Sequence, residues 1–360
     1  MLVEPGIRRR LPELLRRHAP AFRYAVISDD NVAPLYGEEV VAGCRVAGLD
    51  ATLFTFPAGE AHKTRKQWSI LTDALLARGM GRDCAVVAVG GGVTGDLAGF
   101  VAATLHRGIP VVQVPTSLVA MIDASVGGKT GVDVKSGKNL VGAFHPPRAV
   151  VADPETASTL PRRERAQGLA EAVKHGAIAD ALYLESLEAD ADALLDGEVG
   201  AVQAAVARSV ALKARVVGED EREAGLREIL NFGHTYGHAL EAASGFDLGH
   251  GSAVALGMLL EARLGERIGI TESGTEARIR AALDRLGLAR VALPTRDAAA
   301  VLGFLGADKK VRAGVPRFVL LRRAGEVARG EGWTHAVDAE VVEQVLSTAL
   351  AGGSGGLGRA

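Results

Sequence analysis

Val86-Val-Ala-Val-Gly90-Gly-Gly-Val-Thr-Gly-Asp96 is the stretch on which the fold of this chain turns. Apolar residues without a polar face read as a buried strand, and they run straight into three glycines. A helical stretch from Asp96 to Thr104 follows. Glycines between a strand and a helix let backbone N–H groups and the positive end of the helix dipole come close to an anionic ligand. The glycines fall at 90, 91, 92 and 95. Taken alone, the segment also reads as a tight strand-to-helix turn with Asp96 as a helix cap.

The same grammar recurs on both sides. Tyr24–Ser28 is a short apolar run ending at Asp29-Asp30-Asn31. Thr52–Phe56 ends at Pro57-Ala-Gly-Glu60, Lys66–Arg78 has helical spacing, and Val111–Val114 is a strand stopped by Pro115. Repeated strand, turn and helix predict a parallel α/β sheet. Beyond Thr159 the character changes. Arg162–Ala179, Ala201–Val217, Leu230–Ala243, Ala253–Gly269 and Thr275–Leu286 read as helices on propensity and period, and Arg317–Leu321 as a late strand. The expected organisation is an α/β domain over residues 1–159, a mostly α-helical domain over 160–350, and a flexible glycine-rich tail over 351–360.

Composition narrows the function. Apolar residues at 48% and charged residues at 23% supply a core for each of two domains in a 360-residue chain. A net charge of −2 argues against nucleic acid or an anionic membrane as the main partner, while leaving room for a local basic pocket. The two cysteines, Cys44 and Cys84, form no CxxC pair and suggest a reducing compartment. No apolar run reaches a membrane span, and Met1–Arg10 lacks the apolar core of a signal peptide. A cytoplasmic location is expected.

Three segments carry chemistry. Asp123-Ala-Ser-Val-Gly127-Gly-Lys129-Thr130 ends like a P-loop, but the first P-loop glycine would fall at Asp123, so that reading fails. What remains, through Lys135, Lys138 and Asn139, reads as a loop with lysines near backbone donors, suited to a phosphorylated ligand; solvated surface lysines are the plainer alternative. Gly168-Leu-Ala-Glu171-Ala-Val-Lys174 places Glu171 and Lys174 three apart on a predicted helix among small residues. There a carboxylate needs either a metal or its neighbouring ammonium as partner. Finally, Asn231-Phe-Gly-His234-Thr-Tyr-Gly-His238 and Asp247-Leu-Gly-His250 hold three of the chain's nine histidines. His234 and His238 share a helix face, which on spacing alone suggests an HxxxH metal pair.

With these segments in place, the chain resembles the 3-dehydroquinate synthases, a branch of the sugar-phosphate cyclases. The ordered match covers roughly residues 22–330: Pro57-Ala-Gly-Glu60, Gly90–Asp96, Arg107-Gly, Val114-Pro-Thr116-Ser117, Asp123–Lys129, Gly137-Lys138-Asn139, Gly168–Glu171, Asp220-Glu-Arg-Glu223, Gly225-Leu-Arg227, Asn231–His234 and Asp308-Lys-Lys310. The resemblance implies an α/β NAD domain, a helical metal domain and an active site between them. It implies Zn²⁺ or Co²⁺ on Glu171, His234 and His250, and it removes His238 from the ligand set, placing that residue near the substrate phosphate and the proton path. Lys129, Asn139, Lys213, Arg227 and Asn231 are implied substrate and phosphate contacts, with Lys310 a further one. Asp123, Lys174 and Glu223 are implied polar groups of the active site. Arg107 is implied to reach a neighbouring subunit's phosphate site, which would make a homodimer functional. For NAD, the matching positions are Asp29, Asn31, Glu60, Lys63, Gly92, Val93, Thr94, Gly95, Asp96, Thr116, Ser117, Lys129, Lys138 and Thr159.

The implied reaction converts 3-deoxy-D-arabino-heptulosonate 7-phosphate to 3-dehydroquinate and phosphate. It proceeds by transient oxidation with NAD⁺, phosphate elimination, re-reduction and an intramolecular aldol closure, with no net redox change. The chain departs from the family pattern in three places. Most of the usual first strand is lacking, which puts an N-terminal hairpin in doubt. Ser252 stands where the family carries Glu, and Ser117 where many members have Thr. The alternatives are a sister cyclase acting on another sugar phosphate, a metal-dependent polyol dehydrogenase of related fold, and a non-catalytic NAD- or metal-binding protein. The second would accumulate NADH.

Overall fold

The computed structural model describes residues 1–223, 225–245, 247–289, 293, 295, 297–307 and 316–351. Lys310 and residues 352–360 of the expected tail lie outside them. The chain divides into two compact units, Met1–Leu160 with Val202–Val210, and Pro161–Ala201 with Ala211–Ala360.

The first unit contains β1 (Leu2–Val3), α1 (Leu11–His18), β2 (Arg23–Asp29), α2 (Glu38–Val46), β3 (Asp50–Phe56), α3 (Arg65–Ala77), β4 (Cys84–Gly90), α4 (Gly92–Thr104), β5 (Val111–Pro115), β6 (Lys129–Val134), β7 (Gly137–Phe144) and β8 (Ala149–Ala152). Six strands form one sheet in the order β1-β8-β5-β4-β2-β3. All its pairings are parallel, with registers such as Arg23↔Cys84 and Val86↔Val111. Strand residues alternate between two cores. Ala25, Ile27, Val86 and Ala88 pack with Leu71, Leu75, Leu97 and Val101. Tyr24, Val26, Val87 and Val89 pack with Leu11, Leu15, Val40 and Val41. Burial on both faces is why these strands read as unbroken apolar runs. Successive strands move outward from β2 to β3, and the chain then returns to lay β4 on the other side of β2. In open α/β sheets, the crevice at the carboxyl ends of two such strands is where ligands bind.

The second unit is helical: α5 (Arg162–Ala179), α6 (Ala181–Ala189), α7 (Ala191–Asp196), α8 (Val199–Glu219), α9 (His234–Ala243), α10 (His250–Arg267), α11 (Thr275–Arg285), α12 (Ala298–Ala307) and α13 (Ala339–Ala351), with four short strands, Arg317–Phe318, Leu321–Arg323, Glu326–Val327 and His335–Ala336. The middle of α8 clusters with the first unit. Helices α5 and α10 are buried along nearly their whole length, as expected of core helices without a polar face.

Several sequence expectations need correction. The stretch Lys129–Asn139, expected as a loop, belongs to the β6–β7 antiparallel hairpin, turning at Lys135-Ser136 with Asn139 at φ 55°. Its lysines and glycines concealed the strands. Helix α4 begins at Gly92, so the last glycines form its first turn. The segment expected as one helix from Leu230 breaks at Gly233, whose φ of 80° is left-handed; a 3-10 turn over Leu226–Asn231 precedes it. Helix α10 starts at His250, three residues earlier than expected. The late strand is split at Val319-Leu320. A two-residue first strand does exist, paired parallel with β8 at the sheet edge.

Candidate active site

Each unit gathers a polar cluster of its own. In the first, β2 and β4 deliver Asp29 and the glycine turn to the switch point. Asp29 Oδ2 accepts from the Thr94 hydroxyl at 3.0 Å, and Oδ1 accepts from the N–H groups of Asn31 and Val32 at 3.1 and 3.0 Å. This carboxylate therefore ties β2 to the first turn of α4. At two of its glycines the turn has no room for a larger residue. A Cβ on Gly90 would lie 2.3 Å from Thr94 Oγ1, and one on Gly95 would lie 2.8 Å from Gln113 Oε1. Gly91 faces Ser117, where a Cβ would come to 3.3 Å from Oγ. Thr116 donates its N–H to the Gly90 carbonyl at 2.9 Å. The first N–H groups of α4, at Gly92, Val93 and Thr94, have no acceptor within the helix. That cradle suits a pyrophosphate.

Lys63 is the hub beside it. Its ammonium donates to Asp96 Oδ2 at 3.2 Å and Asn139 Oδ1 at 2.9 Å and pairs with Glu60 Oε1 at 3.0 Å, so all three protons are used. Asp133 lies 3.8 Å away and accepts the Asn139 N–H at 2.8 Å. One buried cation thus draws together the Glu60 turn, the start of α4 and the β6–β7 hairpin. Burial would lower the Lys63 pKa, but the carboxylates outweigh it and raise it. Burial pushes Asp96 up to about 6, against the pull of Lys63. Because the folded value exceeds the unfolded one, the ionised Asp96 costs stability, increasingly as pH rises from about 4 through 6. Asp96→Asn is therefore expected to stabilise the ligand-free protein by about 2–3 kcal/mol at pH 8 and by little at pH 4. Melting curves at the two pH values check this; equal shifts at both would refute it.

The remaining positions of this unit are more dispersed. Thr159 shares a 2.8 Å hydrogen bond with the Tyr36 hydroxyl. Lys129 is exposed and Lys138 half-buried on the hairpin, and Asp123 lies in a short helical turn at Ala120–Ala124. Arg107, at φ 69°, follows the far end of α4, about 20 Å of helix from the glycine turn. It is therefore no part of this unit's own cradle.

The second unit gathers Glu171, His234 and His250, whose potential ligand atoms all lie within 4.8 Å of one another. Glu171, in mid-α5, is fully buried, and its Oε1 is 3.1 Å from His250 Nε2 and 3.6 Å from His234 Nε2. Both histidines are the first residues of their helices. Lys174 pairs with the other Glu171 oxygen. Both readings of the Glu171–Lys174 segment, metal-type donor and ion pair, are thus present in the geometry. Burial and the Lys174 ammonium push His234 well below its usual pKa, leaving a neutral imidazole of the kind a metal needs. At His250 burial acts in the same direction, but hydrogen bonds to Glu171 and Glu241 outweigh it and raise the pKa to about 10. One carboxylate and two imidazoles converging on one point fit a catalytic zinc-type ion with an open position. His238 stacks edge-on against His234, with ring centroids 5.3 Å apart, and is outside that convergence.

Elsewhere in this unit, Asp220 Oδ2 accepts from the N–H groups of Gly225 and Arg227 at 2.7 and 3.0 Å. Arg227 is buried and donates to the Glu221 carbonyl at 2.5 Å. Asn231 Nδ2 donates to Glu223 Oε1 at 2.8 Å. Lys213 is buried on α8. Ser252 accepts a 2.6 Å hydrogen bond from Gln167 Nε2 and donates its N–H to Gln167 Oε1 at 2.9 Å. Sequence reasoning passed over Gln167, Glu241 and Glu261. The signal for the two carboxylates was helical phase: Glu241 follows His234 by seven residues and Glu261 follows His250 by eleven, two and three turns along the same faces.

A parallel α/β unit with a glycine cradle at its switch point, followed by a helical unit holding a Glu-His-His donor set, defines a metal-dependent enzyme of the α/β-plus-helical class. Residues 53–167 match the family model described as 3-dehydroquinate synthase N-terminal, and residues 168–311 the one described as 3-dehydroquinate synthase C-terminal. The chain belongs to the 3-dehydroquinate synthase family. It is 50% identical over 327 residues to the 3-dehydroquinate synthase of Symbiobacterium thermophilum, covering 90% of this chain and 91% of that one. Among solved structures, it superposes at a TM-score of 0.88 and 28% identity on a 2-deoxy-scyllo-inosose synthase complexed with carbaglucose-6-phosphate, NAD⁺ and Co²⁺, covering 95% of both chains. The 2-epi-5-epi-valiolone synthase of Streptomyces hygroscopicus subsp. jinggangensis 5008, with NAD⁺ and Zn²⁺ bound, gives 0.87 at 28% identity, covering 97% of this chain and 96% of that one.

Proposed function

We propose that this chain converts 3-deoxy-D-arabino-heptulosonate 7-phosphate to 3-dehydroquinate and phosphate, using catalytic NAD and a divalent zinc or cobalt ion. The observation that carries the reading is the Glu171–His234–His250 convergence in a chain whose synthase relative is 50% identical. When bound, NAD accepts and returns a hydride, and the metal lowers the pKa of the hydroxyl being oxidised. The first turn of α4, with Asp29, Asn31, Glu60, Lys63, Thr116, Ser117, Lys138 and Thr159, holds the dinucleotide. Glu171, His234 and His250 hold the ion. Lys129, Asn139, Lys213, Arg227, Asn231 and His238 hold the substrate and stabilise the charge of the departing phosphate, with Lys310 as a further contact. Asp123, Lys174 and Glu223 orient the reacting hydroxyls. Arg107 serves the phosphate site of a second copy in a homodimer, and the enzyme works in the cytoplasm. Among the described residues no helix is long and apolar enough to cross a membrane.

Incubation with the heptulosonate phosphate, NAD⁺ and zinc should release one phosphate per dehydroquinate formed, with no net NADH. Steady NADH accumulation from simple polyols without phosphate release would sink this reading. A sister-cyclase activity would show as turnover of a different sugar phosphate instead.

A further inference from the structure

Two buried carboxylates outside the donor set, Glu241 and Glu261, are 5% and 0% exposed. Each belongs to the helix that starts with one of the histidines and acts on the other. Helix α9 begins at His234 and carries Glu241, whose Oε2 lies 3.4 Å from Nδ1 of His250. Helix α10 begins at His250 and carries Glu261, whose carboxylate accepts from the N–H groups of Gly233, Thr235 and Tyr236 at 2.7, 3.0 and 3.4 Å. Three N–H bonds at a helix N-terminus fix the position of that carboxylate. It pins the left-handed Gly233 turn, and with it the Phe232 carbonyl that lies 3.2 Å from Nδ1 of His234. Both imidazoles thus have an acceptor at Nδ1 and present Nε2 toward Glu171. The two helices are in backbone contact, since a Cβ on Gly257 would fall 1.9 Å from the Gly233 carbonyl oxygen. Displacing one helix therefore displaces the other.

We infer that Glu241 and Glu261 are reciprocal positioning residues for the metal centre, each on one histidine's helix and each fixing the imidazole of the other. The inference rests on reading Glu171, His234 and His250 as the ligands. Outer partners of this kind are worth about 10–100-fold in metal affinity.

The test measures zinc affinity by chelator competition, melting of the metal-free protein, and the visible spectrum of the cobalt form. It compares wild type with Glu241→Met, Glu241→Gln and Glu261→Gln. Glu241→Met fills the space without an acceptor and should weaken zinc about 10–100-fold. Glu241→Gln keeps an acceptor oxygen and should restore most of that loss. Glu261→Gln, with one acceptor oxygen in place of two, should weaken zinc and shift the cobalt bands. A wild-type protein that binds no zinc defeats the ligand reading itself. Tight wild-type binding with all three variants within twofold overturns the positioning role alone, as does lowered melting with unchanged zinc affinity. Equal loss in Glu241→Met and Glu241→Gln overturns the role of the His250 hydrogen bond.

Discussion

His250→Ala is expected to release the metal and lower turnover by about 10³-fold or more, the scale of losing several kcal/mol of charge stabilisation at the reacting hydroxyl. His250 Nε2 stands 3.1 Å from Glu171 Oε1, in the position a third ligand must take, and its removal leaves a two-donor site. His238→Ala is the informative control. Its ring stacks on His234 but lies outside the donor convergence. That variant should keep one metal per chain after dialysis and still lose most of its phosphate release. Metal content by atomic absorption, beside the phosphate assay, separates the two. A metal-free His238→Ala with a metal-loaded His250→Ala would reverse the assignment.

Lys63→Met is expected to destabilise the first unit by about 3–5 kcal/mol, because removing one member of a buried ionic cluster leaves the rest uncompensated. Lys63 is 4% exposed, and its three protons are all taken by Glu60, Asp96 and Asn139. Without it, Glu60, Asp96 and Asp133 face one another, and the β6–β7 hairpin keeps its apolar packing on α4 but loses its ionic link to it. A melting drop of roughly 10 °C follows for a unit of this size. The pH dependence has a definite sign. The folded pKa of Lys63 is raised above its unfolded value near 10.5, so its contribution is complete below that pH and is lost as pH rises beyond it. The melting difference between variant and wild type should therefore be constant from neutral pH to about 10 and shrink above. NAD affinity, measured by equilibrium titration, should fall with it. A variant that melts like wild type would remove Lys63 from the centre of this unit.

Much of this was legible in one dimension. The apolar runs of β2, β4 and β5, closed by Asp29, Gly90 and Pro115, marked a parallel sheet because strands buried on both faces have no polar alternation. The long Ala/Leu/Arg segments marked helices such as α5, whose limits were read correctly as Arg162–Ala179. The ordered motifs marked the family. The β6–β7 hairpin was not legible, since its lysines and glycines resemble those of a loop. What pairs those strands is a ladder between residues such as Thr130 and Ala143, supported by Asn139 bonding to Lys63.

The sequence by itself determined the class of fold and the family, because each depends on local pattern or on motif order. It also raised the prospect of an HxxxH metal pair, since His234 and His238 share a helix face whatever lies opposite. Only the tertiary structure decided which donors meet. Glu171 and His234 are 63 residues apart in the chain, and the turn that places His234 at the head of α9 is held by Glu261 from another helix. Spacing along a chain fixes direction around one helix. Convergence on a single ion depends on how α5, α9 and α10 pack, and the tight contact at Gly257 sets that for α9 and α10.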